Sequence, residues 1–138
     1  MEIRIANKNE IAKVYALRHE VFVCEQKVPP ELELDGEDGH ATHIVALENG
    51  AAVGCARLLY DRGGHIGRLA VKKSERGRGI GKDVCHFIIE ICRERGYERV
   101  WLNSQIQAAG FYEKLGFERR GETFYEAGIE HIEMEMRI

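Results

Sequence analysis

The run Arg76-Gly77-Arg78-Gly79-Ile80-Gly81-Lys82 limits what this chain can fold into more than any other stretch. It follows an apolar segment, Ile66 to Val71. It opens a long amphipathic one, in which Ile80, Val84, Phe87, Ile88, Ile91 and Cys92 form one stripe before Gly96. That pattern predicts a strand, a tight glycine turn and a helix closed near Gly96. Such a turn leaves several backbone N–H groups unshielded at the positive end of the helix dipole, a natural place for phosphate. Arg76, Arg78 and Lys82 add positive charge beside it.

Spacing narrows the ligand. A nucleoside-triphosphate loop needs Gly-x-x-x-x-Gly-Lys-Ser/Thr; here Arg76 stands where the first glycine belongs and Asp83 where the hydroxyl belongs. A dinucleotide fingerprint needs Gly-x-Gly-x-x-Gly near the start of a βαβ unit, whereas Gly77, Gly79 and Gly81 alternate and lie mid-chain. What remains is Arg-x-x-Gly-x-Gly, Arg76 to Gly81, between a strand and a helix.

The rest of the chain reads as one domain, 1–138, long enough to bury a core without disulfides or metal. Glu2 to Ala6 is a short strand. Asn7 caps a helix in which Ile11, Val14, Leu17, Val21 and Phe22 keep helical spacing until Pro29-Pro30. His43 to Leu47 and Ala52 to Tyr60 form a hairpin around Glu48-Asn49-Gly50, and Ile66 to Val71 returns after Gly63-Gly64. Arg99 to Ser104 is a strand, Gln107 to Leu115 a short helix closed by Gly116. Phe117 to Tyr125 and His131 to Ile138 are a closing antiparallel pair, with Ile132, Met134, Met136 and Ile138 on one face. The expected class is a layered α/β or α+β fold, in the order β-α-loop-β-β-β-α-β-α-β-β.

Charge adds two contrasting clusters to a net −3 that disfavours nucleic acid as a partner. Lys72, Lys73, Arg76, Arg78 and Lys82 suit a phosphorylated cofactor. Glu31, Glu33, Asp35, Glu37 and Asp38 either suit a cationic substrate or form a solvated loop. Cys24, Cys55, Cys85 and Cys92 show no C-x-x-C pair and no metal-ligand rhythm; they read as small buried hydrophobes in a reducing compartment, and no metal is expected. Met1 to Ile5 has no apolar leader and no run reaches spanning length, so the expectation is a cytoplasmic protein without a membrane partner.

The loop Arg76–Gly81 resembles the pyrophosphate-binding signature of the GNAT N-acetyltransferase superfamily. A second stretch, Asn103 through Phe117 with Phe111-Tyr112-x-x-x-Gly116-Phe117, resembles that superfamily's later motif, and the element order agrees along nearly the whole chain. Leu17 to Gln26, Glu33 to Asp38 and His43 are similar to the small bacterial ElaA-like branch. The resemblance implies an α/β (α+β) layered fold with a central mixed, mostly antiparallel sheet flanked by helices, and acetyl transfer from acetyl-coenzyme A to a primary amine by direct attack in a ternary complex. The acceptor is a small molecule or a peptide, and a homodimer is in keeping with the family. A coenzyme A-binding sensor or interaction domain of the same fold is the alternative.

The resemblance also assigns candidate residues. Leu69, Ala70 and Val71 fall where backbone bonds the pantetheine arm, with Val71 where an N–H polarises the thioester. Arg76, Gly77, Arg78, Gly79, Ile80, Gly81 and Lys82 fall at the pyrophosphate, and Asn103, Ala108 and Phe111 along the cofactor. Tyr112 matches the general acid: a phenol, with a reference pKa of about 10, is close to an alkyl thiol, so protonating the departing sulfur is nearly balanced. Asn103 is otherwise a strand-end polar group, Lys114 either a phosphate contact or a surface lysine, and Arg68 either a cofactor contact or the partner of an acid. Many relatives carry a carboxylate on the strand before the loop, where this chain has Gly67-Arg68-Leu69-Ala70. That leaves Glu25, Asp35, Asp38 and His43, a water relay, or an amine that arrives already neutral as the alternatives for the base, and Glu25, Gln26, Asp35 and His43 as candidates for acceptor binding.

Overall fold

The computed structural model describes all 138 residues. Strand β1 (Glu2–Ile5) leads into helix α1 (Lys8–Arg18). Asn7 caps α1: its side chain accepts from the N–H groups of Asn9 and Glu10, and the Glu10 carboxylate accepts from the Asn7 N–H. Apolar spacing predicts that this helix continues unchanged through Phe22. Instead the bonding widens to a π-helical turn over His19–Glu25. The wider turn keeps Val21 buried while bringing Phe22 and the following Gln26 to the wall of a cleft. Pro30 then opens a short helix α2 (Pro30–Glu33), at a position where its missing N–H costs nothing.

Strands β2 (Thr42–Glu48), β3 (Ala51–Tyr60) and β4 (Gly64–Val71) form an antiparallel meander. Helix α3 (Ile80–Glu94) crosses to β5 (Arg99–Gln105). A 3-10 turn at Ile106–Ala108 precedes α4 (Ala109–Leu115), so the single helix expected from Gln107 is two pieces. Strands β6 (Glu118–Glu126) and β7 (Ile129–Arg137) close the chain. The seven strands lie in the order β1-β2-β3-β4-β5-β7-β6, antiparallel throughout except for the β4–β5 pair.

The stripe of α3 explains the main core. Ile80, Val84, Ile88 and Cys92 are buried on one face of the sheet against Ile44, Ala56, Ile66, Val100, Leu102 and Met134. Truncating a fully buried member such as Ile88 to alanine costs about 2–5 kcal/mol. On the other face α1 buries Val14 and Leu17 in a smaller cluster with Val45, Cys55 and Ala70. Cys55, Cys85 and Cys92 are buried, and burial pushes the first two thiols up to about 12, which keeps them inert. Cys24 departs from expectation: it is exposed on the π-helical turn, its sulfur 3.5 Å from His19 Nδ1. No helix is long and apolar enough to cross a membrane.

Candidate functional site

The cleft exists because β4 and β5 separate. They are paired only at Gly64–Val100 and His65–Trp101, and from Ile66 onward β4 has no partner on that side. A β-bulge opposite Cys55–Arg57 helps to turn β4 away, with Arg68 at a φ of 51°. The Lys72 N–H donates to Val53 of β3. Successive N–H groups of a strand point to opposite sides, so that of Val71 faces the open side. The resulting cleft has a volume of about 1380 Å³, and Leu69, Ala70, Val71, Asn103, Ala108, Phe111 and Tyr112 all line it.

At one end stands the glycine loop. Gly77 and Gly79 have φ of 85° and 79°, a region that side chains with a Cβ rarely occupy. Between them they turn the chain so that the six N–H groups from Gly77 to Lys82 donate to no acceptor in the protein; Asp83 is the first to bond back, to Gly79. Six consecutive orphan donors at the N-terminus of a four-turn helix form an anion cradle. A Cβ on Gly81 would stand 3.5 Å from Phe111 and 3.6 Å from Val71, so glycine there keeps the space between them open.

The arginines of the loop are engaged differently from the expectation that they offer free charge. Arg76 makes two bonds to Glu25 (2.7 and 2.8 Å) and a third to the Val71 carbonyl, clamping the π-helical turn to the end of β4. Arg78 is held by Glu48 and Glu75. Lys73 and Lys82, both exposed, have no carboxylate partner. Lys114 is exposed on α4 and does not line the cleft.

The acidic run is not a free anionic surface. Arg18, 1 % exposed, bonds Glu33 and Asp38; Arg57 bonds Asp35 and Asp38; Arg68 bonds Glu33 and Asp35. Three arginines thus balance three carboxylates in a part-buried network that pins the chain from Pro30 to His40 against α1, β3 and β4. Burial opposes ionisation of Asp35, but the Arg57 hydrogen bonds outweigh it and hold the carboxyl well below its ordinary range. Of the carboxylates offered by the sequence as bases, Glu25 and Asp38 do not line the cleft, and Asp35 lines it with both oxygens bound to arginine. His43 lies outside the cleft, buried beside α1, its Nε2 3.0 Å from the Asp38 carbonyl. Gln26 does line it, and its Oε1 accepts from Gln105 at 2.8 Å, joining the π-helical turn to the end of β5.

Tyr112 packs edge-on against Phe111 and Phe117, and its hydroxyl bonds nothing within the protein. Burial of the ring, with Cys85 nearby, pushes the phenol up, so it keeps its proton. Three histidines that the sequence did not single out also line the cleft: His40, exposed and bonded to Glu37, and the strand residues His65 and His131. His65 stacks on Trp101 at 3.8 Å and burial holds it down at about 4. Neither of the two strand histidines belongs to a local motif; each is a polar residue in a strand, and only the splay of the sheet brings it to the cleft. No group of three or more His, Cys, Asp or Glu side chains is arranged to hold a metal ion.

Residues 6–138 match the family model described as an acetyltransferase (GNAT) domain. The chain is 35 % identical to the N-acetyltransferase YjcF of Bacillus subtilis, covering 93 % of both proteins, and 32 % identical to the protein ElaA of Escherichia coli, covering 93 % of this chain and 90 % of the relative. The crystal structure of Escherichia coli ElaA superposes with a TM-score of 0.89 at 29 % identity, over 98 % of this chain and 99 % of that one. An aminoglycoside 6'-N-acetyltransferase complexed with coenzyme A shares the fold, with a TM-score of 0.80 at 16 % identity over 99 % and 97 % of the two chains.

Proposed function

From membership of the GNAT acetyltransferase family, to which this chain belongs, we propose that the protein transfers an acetyl group from acetyl-coenzyme A to a primary amine by direct attack in a ternary complex. The observation that carries this reading is the row of six unpartnered N–H groups, Gly77 to Lys82, opening onto the cleft left by the parting of β4 and β5. The residues present fit a pyrophosphate followed by a narrow arm. The donors supply the cradle, exposed Lys82 the charge, and the gap at Gly81 between Val71 and Phe111 a passage beside the helix start. A solved relative of the same fold binds coenzyme A.

Acetyl-coenzyme A supplies the activated acetyl group. The chain supplies position, polarisation and proton transfer. Leu69 and Ala70 line the path of the arm, and the Val71 N–H donates to the thioester carbonyl oxygen as negative charge builds there. Asn103, whose side chain makes no bond within the protein, and Ala108 flank the arm from the other strand. Tyr112 holds its proton until a thiolate develops, then donates it to the departing sulfur. The arginine clamp at Arg76 fixes the carbonyl side of Val71, leaving its N–H aimed at the cleft.

A domain that binds without turnover is the second reading, favoured by the lack of a carboxylate from Gly67 to Ala70 and the engagement of Glu33 and Asp35 by arginines. Thiol release from acetyl-coenzyme A, measured across polyamines, aminoglycosides, amino sugars and peptides, separates the two. Transfer is expected with at least one class, and Tyr112→Phe is expected to lower its turnover number by about 10²-fold with binding intact. Binding without consumption across the panel would favour the sensor.

A further inference from the structure

His131 lies on β7 opposite Gln105 of β5, on the part of the sheet beyond the point where β4 and β5 separate. It is 8 % exposed and lines the cleft. Its Nδ1 is 2.7 Å from the Ile129 carbonyl oxygen. A carbonyl only accepts, so Nδ1 is the donor, and in the neutral ring this leaves the basic lone pair on Nε2. Nε2 bonds nothing within the chain and is not sealed in the interior. Phe124 of β6 stacks on the ring, and Gln105 beside it is fixed by Gln26, so the imidazole is held in place.

We infer that His131 is the general base of the acceptor site, its Nε2 taking a proton from the bound primary ammonium. The inference rests on the transferase reading and names the group that reading lacks. The other candidates in the cleft are weaker. His65 has a buried Nδ1 without a partner, and an imidazole held down at about 4 is a poor acceptor from an ammonium. Glu33 and Asp35 are committed to arginines, and His40, exposed, is bonded to Glu37. Around His131 the charged groups are Glu133 two residues along β7, which is 3.5 Å from the Arg99 guanidinium and in register with Arg120 of β6, and the carboxylates Glu122 and Glu126 either side of Phe124 on β6. Nearby β5 contributes only the amides of Asn103 and Gln105. Glu126 also lines the cleft, so a cationic amine meets negative charge as it approaches the base.

The protons balance. One passes from the ammonium to His131 Nε2, and the freed nitrogen lone pair forms the bond to the acetyl carbon. The carbon–sulfur bond breaks, the sulfur takes the Tyr112 proton, and the second nitrogen-bound proton returns to Tyr112. The imidazolium then releases its proton to water, and the products are an amide, a thiol and one proton.

The test uses two amines of similar size and different basicity: ethylamine, protonated at neutral pH, and trifluoroethylamine, largely neutral there. Two variants are compared with the wild type by thiol release, His131→Gln and His131→Asn, the second chosen because its amide still reaches the Ile129 carbonyl. Acetyl-coenzyme A calorimetry checks that each is folded. Both variants are expected to lose about 10²–10³-fold in kcat/KM with ethylamine, to be little changed with trifluoroethylamine, and to bind acetyl-coenzyme A as the wild type does. Equal losses with both amines, or no loss with ethylamine, would overturn the role of His131 while the transferase reading stands. A wild type that binds acetyl-coenzyme A but transfers to neither amine, nor to any member of the wider panel, would overturn that reading, and the base with it.

Discussion

The half of the cleft proposed for the cofactor is lined by two nearly contiguous stretches, within 69–82 and 103–112, whereas the half proposed for the acceptor is lined by side chains drawn from the π-helical turn, α2, β3, β4 and β7. In the first half the groups left open are N–H donors, and the residue type matters mainly where it permits a backbone shape, as at Gly77 and Gly79. In the second, the wall residues Glu33, Asp35, Arg57 and Arg68 are tied to Arg18 and Asp38 behind them, and these six, up to 50 positions apart, meet only in the fold. The first half presents open donors, and the second has spent most of its charge on itself. A backbone cradle is suited to a ligand that stays the same; a side-chain wall is suited to one that differs between relatives.

The difference is broken most severely at Arg18. With Glu33 and Asp38 around a side chain 1 % exposed, Arg18→Met removes one partner from a buried network and is expected to destabilise the protein by about 3–5 kcal/mol in urea unfolding. The glycine cradle lies elsewhere, so the variant's folded fraction should still bind acetyl-coenzyme A. A loss under about 1 kcal/mol would place the network among ordinary surface pairs.

A smaller effect sharpens the comparison through pH. His65 is held down at about 4 by burial, against an ordinary 6.5. Below 6.5 the unfolded chain takes up this proton and the folded protein does not, so the contribution of His65 is complete above 6.5 and is lost as pH falls toward 4. The depressed carboxyls of Asp35 and Asp38 act lower, because their contribution is lost only below the ordinary 3.8. Melting temperature should therefore fall between 6.5 and 4 in the wild type and fall less in His65→Phe, which keeps an aromatic ring on Trp101. Parallel profiles would remove His65 from the account.

The two halves were unequally legible in the sequence, for the same physical reason. Helix α3, the strand before it and the turn between them are written locally, in the periodicity of Ile80 to Cys92 and the alternation of glycines, and so was the loop's place in the fold. The order of elements followed from short-range patterns of the same kind, and the mixed sheet from the family resemblance carried by the glycine loop and the Phe111–Phe117 motif. What the acidic run does was not legible, because its partners Arg18, Arg57 and Arg68 have no fixed spacing from it. Nor was the engagement of Arg76 by Glu25, 51 residues away. The π-helical turn keeps the apolar spacing of an α-helix closely enough to pass for one. His131 read as the first residue of a strand, and only the Ile129 carbonyl beneath its Nδ1 distinguishes it.

The central claim is that an open row of backbone donors holds the phosphates of acetyl-coenzyme A. Calorimetric titration of acetyl-coenzyme A into the wild type and into Gly79→Val tests it most directly, since a β-branched side chain cannot hold the φ of 79° on which the row depends. Micromolar binding by the wild type, abolished in a variant with an unchanged circular dichroism spectrum, is the result predicted. Equal binding by both, or none by the wild type, would contradict it.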